Sequence, residues 1–125
     1  MQTQQRFSPS ENAHDLRQFS GTEEWYKNVS MPHLLYTEGV KHLFESRNCY
    51  WLGNLIAGIH LFNRVIKPED FVTCELTTEG SEGMLTFTDG NDNVLHEEKI
   101  PFTDFPDKGV TIWLVNDVLM LPSEY

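Results

Sequence analysis

Nine acidic residues occupy one stretch of the chain that contains no Lys or Arg. They lie between Lys67 and Lys99: Glu69, Asp70, Glu75, Glu79, Glu82, Asp89, Asp92, Glu97 and Glu98. Carboxylates that gather on one folded surface create a negative field, which repels nucleic acid and attracts cations or basic proteins. The pattern therefore predicts a binding surface for a basic protein, formed by Glu75, Glu79, Glu82, Asp89, Asp92, Glu97 and Glu98.

The most regular polar motif of this stretch is DGNDN at residues 89–93. Its first, third and fifth residues have the spacing of the first three ligands of an EF-hand calcium loop. The rest of that loop is absent, because Val94 stands where it needs Gly and Ile100 stands where it needs a bidentate Glu. Gly and Asn are instead typical of the positive φ angles of a tight hairpin turn. The motif is therefore interpreted as a turn.

Catalytic and metal-binding patterns are weak in this chain. The five histidines form neither HxH nor HExxH, and the sequence has no GxSxG elbow, Walker loop or GxGxxG. His42, His60 and Cys49 come nearest to a cluster, but catalytic zinc requires three well-placed ligands. We therefore predict no catalytic residue, cofactor or metal site. A small enzyme or ligand-binding domain, with a pocket between helices and sheet, is the alternative.

Two aromatic residues are candidate anchors for a partner. Trp25 stands next to Tyr26 and two glutamates, and Trp is frequent among the residues that dominate interface energies. Phe105 lies in the motif FTDFP at residues 102–106. Asp104 could brace that loop through its own backbone, or the loop could present Phe105 to a partner. Both interpretations of the loop stay open at this point.

Length and charge limit the classes of function. A chain of 125 residues fits one domain, and its net charge of −10 with scattered bases argues against direct nucleic-acid binding. The longest apolar run, Tyr50 to Phe62, is shorter than the roughly 20 residues that a membrane span takes. The polar residues 1–10 lack the apolar run of a signal peptide, and Cys49 and Cys74 have no CxxC spacing. We expect a cytoplasmic protein without a membrane segment.

Helical signals precede strand signals along the chain. Residues 1–15 are polar and are predicted to form a flexible tail, followed by a single domain over residues 16–125. Thr22 is the predicted N-cap of a short helix that includes Trp25 and Tyr26. Thr37 is the predicted N-cap of a helix with Val40, Leu43 and Phe44 on one face. Residues 50–63 predict a second, largely buried helix.

The second half of the chain alternates between apolar and polar residues, as strands do. The predicted strands are 71–78, 84–88, 94–102, 110–115 and 118–121. Helices followed by a meander predict an α+β fold, with N-terminal helices packed on one face of a four- to five-stranded antiparallel sheet. The last two strands are apolar on both faces, so that pairing with a second copy into a homodimer is a further interpretation.

Several motifs occur together that resemble those of a known family. They are GTE (residues 21–23), LLYTEGVK (34–41), YWL (50–52), FTDFP (102–106) and LPSEY (121–125). Together they resemble a family of small uncharacterised prokaryotic proteins, often encoded on phages, plasmids or other mobile elements. The resemblance covers about residues 16–125 and assigns no chemistry to any residue. It implies a single domain in a mobile-element setting. Taken with the acidic stretch, this setting favours a small acidic protein-binding module, which could inhibit a nucleic-acid-handling or defence complex of the host through its acidic surface.

Overall fold

The structure is a computed structural model that describes residues 25–28 and 31–125. These residues form an α+β fold with two α-helices and one seven-stranded sheet. In chain order the elements are β1 Trp25–Asn28, β2 Met31–Thr37, α1 Glu38–Ser46, α2 Tyr50–Phe62, β3 Phe71–Glu79, β4 Glu82–Thr88, β5 Val94–Ile100, β6 Gly109–Val115, β7 Val118–Met120 and a 3₁₀ helix Pro122–Glu124. The predicted tail over residues 1–15 and the predicted cap at Thr22 lie outside the described residues.

The sheet is mixed, and its strand order is β1-β2-β7-β6-β3-β4-β5. Strands β3 to β7 form an antiparallel group in which β3 pairs with both β4 and β6, β5 follows β4 and β7 follows β6. The first two strands join the far side of this group, because β2 pairs in parallel with β7. One long sheet therefore includes residues from both halves of the chain.

The fold class, both long helices and the five later strands match the sequence predictions in position. Two details of the predicted architecture are wrong. Trp25 and Tyr26 belong to strand β1 and not to a short helix, and the sheet has seven strands of mixed direction and not four or five antiparallel ones. The physical reason is long-range pairing: β2 finds its hydrogen-bond partners in β7, more than 80 residues later in the chain.

The two faces of the sheet differ because successive side chains of a strand point to opposite faces. One face carries Val72, Cys74 and Leu76 of β3, which are buried against the helices in a single apolar core. The intervening residues of β3, such as Glu75 and Thr77, point away from the helices. We call this second side the outer face of the sheet.

Helix α1 begins where the sequence predicts. The Thr37 hydroxyl accepts a hydrogen bond of 3.3 Å from the Val40 amide, as an N-cap does. Its apolar face buries Val40, Leu43 and Phe44 completely. Helix α2 packs beside it, and Gly53 permits close contact because an added Cβ would come within 2.7 Å of the Phe44 ring.

The strands proposed for self-pairing do not lie at an edge of the sheet. β7 is flanked by β2 and β6, and β6 is flanked by β7 and β3. A homodimer formed by edge pairing of these strands is therefore wrong, because their hydrogen-bonding groups are already used. Within the described residues, the strands at the two edges of the sheet are β1 and β5.

Candidate interaction surface

Two of the predicted carboxylates share a row on the outer face. Glu75 of β3 is opposite Thr86 of β4, and Thr86 is in turn opposite Glu97 of β5. Residues that are directly opposite point to the same face, and two strand spacings separate Glu75 from Glu97 by about 10 Å. Both side chains are exposed. The alternating pattern of the sequence thus brings two distant acids onto one surface.

A second pair lies at the tip of the β3–β4 hairpin. Glu79 and Glu82 are directly opposite each other, an arrangement of like charges that is unfavourable unless solvent or a cation screens it. They line an open hollow of about 720 Å³ beside the loop that precedes β6. Lys99 and Lys108 line the same hollow, so that the negative field is weaker here than the acids alone would make it.

Asp89 and Asp92 lie at the opposite end of these strands, in the turn between β4 and β5. The Asp89 carboxylate accepts hydrogen bonds from the Asn91 amide at 2.8 Å and from the Asn93 side chain at 2.8 Å. These hydrogen bonds hold the pKa of Asp89 below its usual range, and the bond from the Asn93 side chain contributes most. Gly90 and Asp92 have φ angles of 88° and 67°, which confirms the turn interpretation of this motif.

Glu98 points to the other side of the sheet. It is opposite Leu85, a core residue, and therefore lies on the helix-facing side of β5. Its carboxylate is 3.0 Å from Nε2 of His96, on the same edge strand. The prediction that all seven acids form one surface is therefore wrong, because strand register sends them to four places: the outer face, the hairpin tip, the β4–β5 turn and the helix-facing side of β5.

The exposed Trp25 lies on the same side as Glu75 and Glu97. Trp25 is 59% exposed. It points to the other face of β1 from its neighbour Tyr26, which packs on Tyr36 on the helix-facing side of the sheet. Half-buried apolar side chains continue from Trp25 across the outer face. They are Leu35, Val115, Val118, Met120 and Trp113. The exposure of Trp25 agrees with the prediction, although a strand and not a helix carries it.

An aromatic cluster ends this apolar band. The ring centroids of Phe71 and Trp113 are 5.0 Å apart, and that of Tyr125 lies 5.2 Å from Trp113. Edge-to-face contacts of this kind fix the orientation of the rings. Tyr125 is nevertheless 73% exposed. The outer face therefore combines an apolar half with a half rich in Thr and Glu.

Phe105 cannot serve as an exposed anchor, and that interpretation of the FTDFP loop is wrong. Its side chain is only 7% exposed and belongs to the core. The loop is fixed by a hydrogen bond of 3.1 Å from the Phe105 amide to the Thr103 hydroxyl, so that Thr103 braces the backbone. Phe102, three residues earlier, is 75% exposed instead. The aromatic spacing alone did not reveal which of the two rings enters the core.

The residues considered for a metal or catalytic cluster do not come together. Cys49 precedes α2 and His60 lies near its end, so that about 16 Å of helix separates them. Within the described part of the chain, no group of three His, Cys, Asp or Glu side chains could hold a metal ion. Burial raises the pKa of the Cys49 thiol to about 12, which disfavours the nucleophilic thiolate.

His60 occupies an unusual environment. It stacks on His33 with ring centroids 5.8 Å apart, and its Nε2 lies 3.6 Å from the Asp117 carboxylate. Its other ring nitrogen, Nδ1, is buried without a hydrogen-bond partner among the described residues. Burial lowers the pKa of His60, and the repulsion by His33 and Lys67 acts in the same direction against the attraction of Asp117.

Sequence reasoning missed a buried carboxylate that joins two distant motifs. Glu124 is 6% exposed and accepts hydrogen bonds from the Thr37 hydroxyl at 2.6 Å, the Leu121 amide at 2.9 Å and the Gly39 amide at 3.0 Å. It thereby satisfies the Gly39 amide in the first turn of α1, where the helix dipole favours a negative charge. No local pattern marks a Glu so near to the last residue as a core residue.

Comparisons with known proteins give a family and no function. The model of the DUF6876 family, described as a family of unknown function, matches residues 10–125. No curated protein and no solved structure matches the chain. Neither helix in the described residues is long and apolar enough to cross a membrane.

Proposed function

The chain belongs to the DUF6876 family, whose function is unknown, and we propose that it is a non-enzymatic module that binds a basic surface of another protein. The observation that carries this proposal is the lack of neutralising partners. None of the nine carboxylates between Glu69 and Glu98 forms an ion pair with a Lys or Arg of the described residues. Such charges are available to a cationic partner, which they attract over about one Debye length.

The outer face also carries exposed and half-buried apolar side chains, which can make the close contacts that charged residues alone do not provide. Electrostatic attraction accelerates association, whereas buried aromatic and aliphatic side chains slow dissociation. Trp25, Trp113 and Tyr125 share this face with Glu75 and Glu97. A basic protein surface with an apolar centre would match both halves of the face.

The motif resemblance suggests the setting of this interaction. On a phage or other mobile element, a protein with these properties would act on a nucleic-acid-handling or defence complex of the host. Its carboxylates would then occupy the positions at which the complex binds phosphates, and the protein would act as an inhibitor. The net charge of −10 agrees with this role.

Removal of three charges tests the proposal. The partner is captured from the natural host on the immobilised full chain, purified, and its association rate is measured as salt rises from about 50 mM to about 500 mM. We expect the rate to fall steeply with salt. At low salt, the association rate of the triple variant Glu75→Gln, Glu79→Gln, Glu82→Gln should be about tenfold lower than that of the unaltered chain.

A second triple variant with the same change in net charge serves as control. Glu38→Gln, Glu45→Gln and Asp117→Asn alter exposed acids outside the β3–β5 half, and Asn tolerates the positive φ of residue 117. This control should associate at nearly the rate of the unaltered chain. Equal rates for the two triple variants, or a captured partner without a basic surface, would contradict the proposal.

A further inference from the structure

Helix α2 carries more apolar surface than the sheet buries. The side towards the sheet contains Leu52, Ile56 and Ala57, which are at most 2% exposed. A second apolar stripe, formed by Trp51, Leu55 and Ile59, is only partly buried against the core, and it ends at Phe62, which is 82% exposed. An amphipathic helix normally turns polar residues to that side, so that an apolar stripe there calls for an explanation.

The second stripe faces the edge strand β5. Trp51, Leu55, Ile59 and Phe62 recur at intervals of three or four residues and therefore lie on one side of α2. Leu55, Ile59 and Phe62 line a hollow of about 430 Å³ whose other wall is formed by His96 and Glu98 of β5.

A smaller, separate hollow of about 220 Å³ lies further along the same helix and strand. Trp51 of α2 lines it together with Ile100 and Phe102, at the end of β5 and just beyond. The two hollows thus follow each other between the helix and the strand. We call them together the α2–β5 groove.

Gly58 forms an open part of this groove. An ideal Cβ built at Gly58 meets no atom within 4 Å, whereas the same atom at Gly53 would meet Phe44 and Met31. Gly58 lies in the interior of α2, where Gly costs roughly 0.5–1 kcal/mol relative to Ala. Packing inside the described part of the chain does not require this glycine, but space for an external group would.

The edge of the sheet formed by β5 lies beside the groove. Among the described residues β5 pairs only with β4, so that half of its backbone N–H and C=O groups face outward. Such an edge can receive an extended chain, whose alternate side chains then point towards α2. The seven residues of β5 offer about 23 Å of edge.

The charges that line the groove favour a positively charged occupant. Glu98 and the exposed Asp104 lie along it, and the residues lining both hollows include no Lys or Arg. His96 is already paired with Glu98 at 3.0 Å. An extended segment with Lys or Arg among its apolar residues would complement this lining.

We propose that the α2–β5 groove binds an extended, basic segment of a partner protein, which pairs with the edge of β5 and inserts alternate apolar side chains beside Leu55, Ile59 and Phe62. This inference rests on the proposed function for the positive charge of the partner. Its site, however, lies on the helix-facing side of the sheet and not on the outer face.

A filling substitution tests the site without any change of charge. The probe is a displayed library of random 12-residue peptides, selected on the immobilised full chain. We expect enriched peptides with apolar residues at alternate positions and at least one Lys or Arg. Gly58→Leu fills the groove and removes a helical glycine, so that the variant keeps its stability while its affinity for a selected peptide falls at least about tenfold.

Two further variants locate the binding. Phe62→Ala removes an exposed part of the groove wall. It should lower the affinity for the peptide several-fold and leave the stability of the protein nearly unchanged. Thr86→Leu places a leucine side chain on the outer face instead, and it should leave the affinity for the peptide unchanged. The outward-facing amides of β5, which do not bond to β4, should become protected from hydrogen exchange only when the peptide is bound.

Several results would overturn the inference. They are the absence of enriched peptides, a loss of affinity in Thr86→Leu in place of Gly58→Leu, and full protection of β5 amides before any peptide is added. The last result would assign the edge to the chain itself or to a second copy. Gly58→Leu alters no charge. A negative result at this groove would therefore leave the proposed function open to its own test, the triple variant with neutralised carboxylates.

Discussion

Glu124 and Gly39 lie 85 residues apart in the chain and are joined by a hydrogen bond of 3.0 Å from the Gly39 amide to Oε2 of the carboxylate. The other oxygen, Oε1, accepts from the Thr37 hydroxyl, which itself caps α1. The motifs LLYTEGVK and LPSEY, which are far apart in the sequence, thus form one structural unit. A single buried carboxylate fixes the start of α1 to the 3₁₀ helix that follows β7.

Replacing this carboxylate by its amide should destabilise the fold. In Glu124→Gln, the amide nitrogen cannot accept a hydrogen bond, so that one buried amide or hydroxyl group loses its partner. We expect the free energy of unfolding to fall by about 1–3 kcal/mol, measured by urea denaturation. Glu45→Gln on the exposed side of α1 is the control and should change it by less than about 0.5 kcal/mol. Equal effects of the two substitutions would contradict a structural role for Glu124.

Two glycines of the helices should respond in opposite directions to the same substitution. A Cβ at Gly39 would lie 2.7 Å from Leu121 and 2.8 Å from Glu124, whereas a Cβ at Gly58 meets nothing. Gly39→Ala should therefore lower stability by about 1–3 kcal/mol through overpacking. Gly58→Ala should raise it by about 0.5–1 kcal/mol, since Ala favours a helix. Urea denaturation of both variants measures the two changes in the free energy of unfolding. A gain of stability in Gly39→Ala would refute the close contact.

The sequence predicts those elements whose signals are local. The apolar spacing of Val40, Leu43 and Phe44 with a Thr before it predicts α1, and strict alternation predicts β3. The turn at residues 89–93 is equally readable, because Gly90 and Asp92 need positive φ angles. Each of these features depends on neighbours within a few residues.

Strands β1 and β2 carry no such local signal. Trp25 and Tyr26 follow two glutamates that resemble the first turn of a helix, and Met31 to Tyr36 does not alternate clearly between apolar and polar residues. β2 pairs with the distant strand β7, and β1 pairs with β2, so that tertiary pairing overrides local propensity in both. The distribution of the acids was also only partly predictable, since it depends on register: Glu97 points outward and its neighbour Glu98 points to the helix side.

A buried ion pair attaches the end of α1 to Asp107, the residue that follows the FTDFP motif. Nε of Arg47 lies 3.1 Å from the Asp107 carboxylate, and their side chains are 1% and 8% exposed. Removing one partner leaves an uncompensated buried charge, so that Arg47→Met and Asp107→Asn should each cost about 3–5 kcal/mol. The double variant should cost much less than the sum. A double-mutant cycle from urea denaturation measures the coupling, and additive losses would show that the two charges do not interact.

His60 should make stability fall in mildly acidic solution. Burial, together with His33 and Lys67, holds its pKa below the value of 6.5 that applies to an unfolded chain, although Asp117 opposes this shift. As the pH falls below about 6.5, the unfolded chain therefore takes up the proton first, and this proton stabilises it relative to the folded state. In His60→Gln this contribution is missing, so that its free energy of unfolding should decrease less than that of the unaltered chain between about pH 7 and pH 5. Asp117→Asn removes the one attractive charge and should steepen the decrease. Urea denaturation at several pH values measures all three chains, and parallel pH profiles of the unaltered chain and His60→Gln would disprove the lowered pKa.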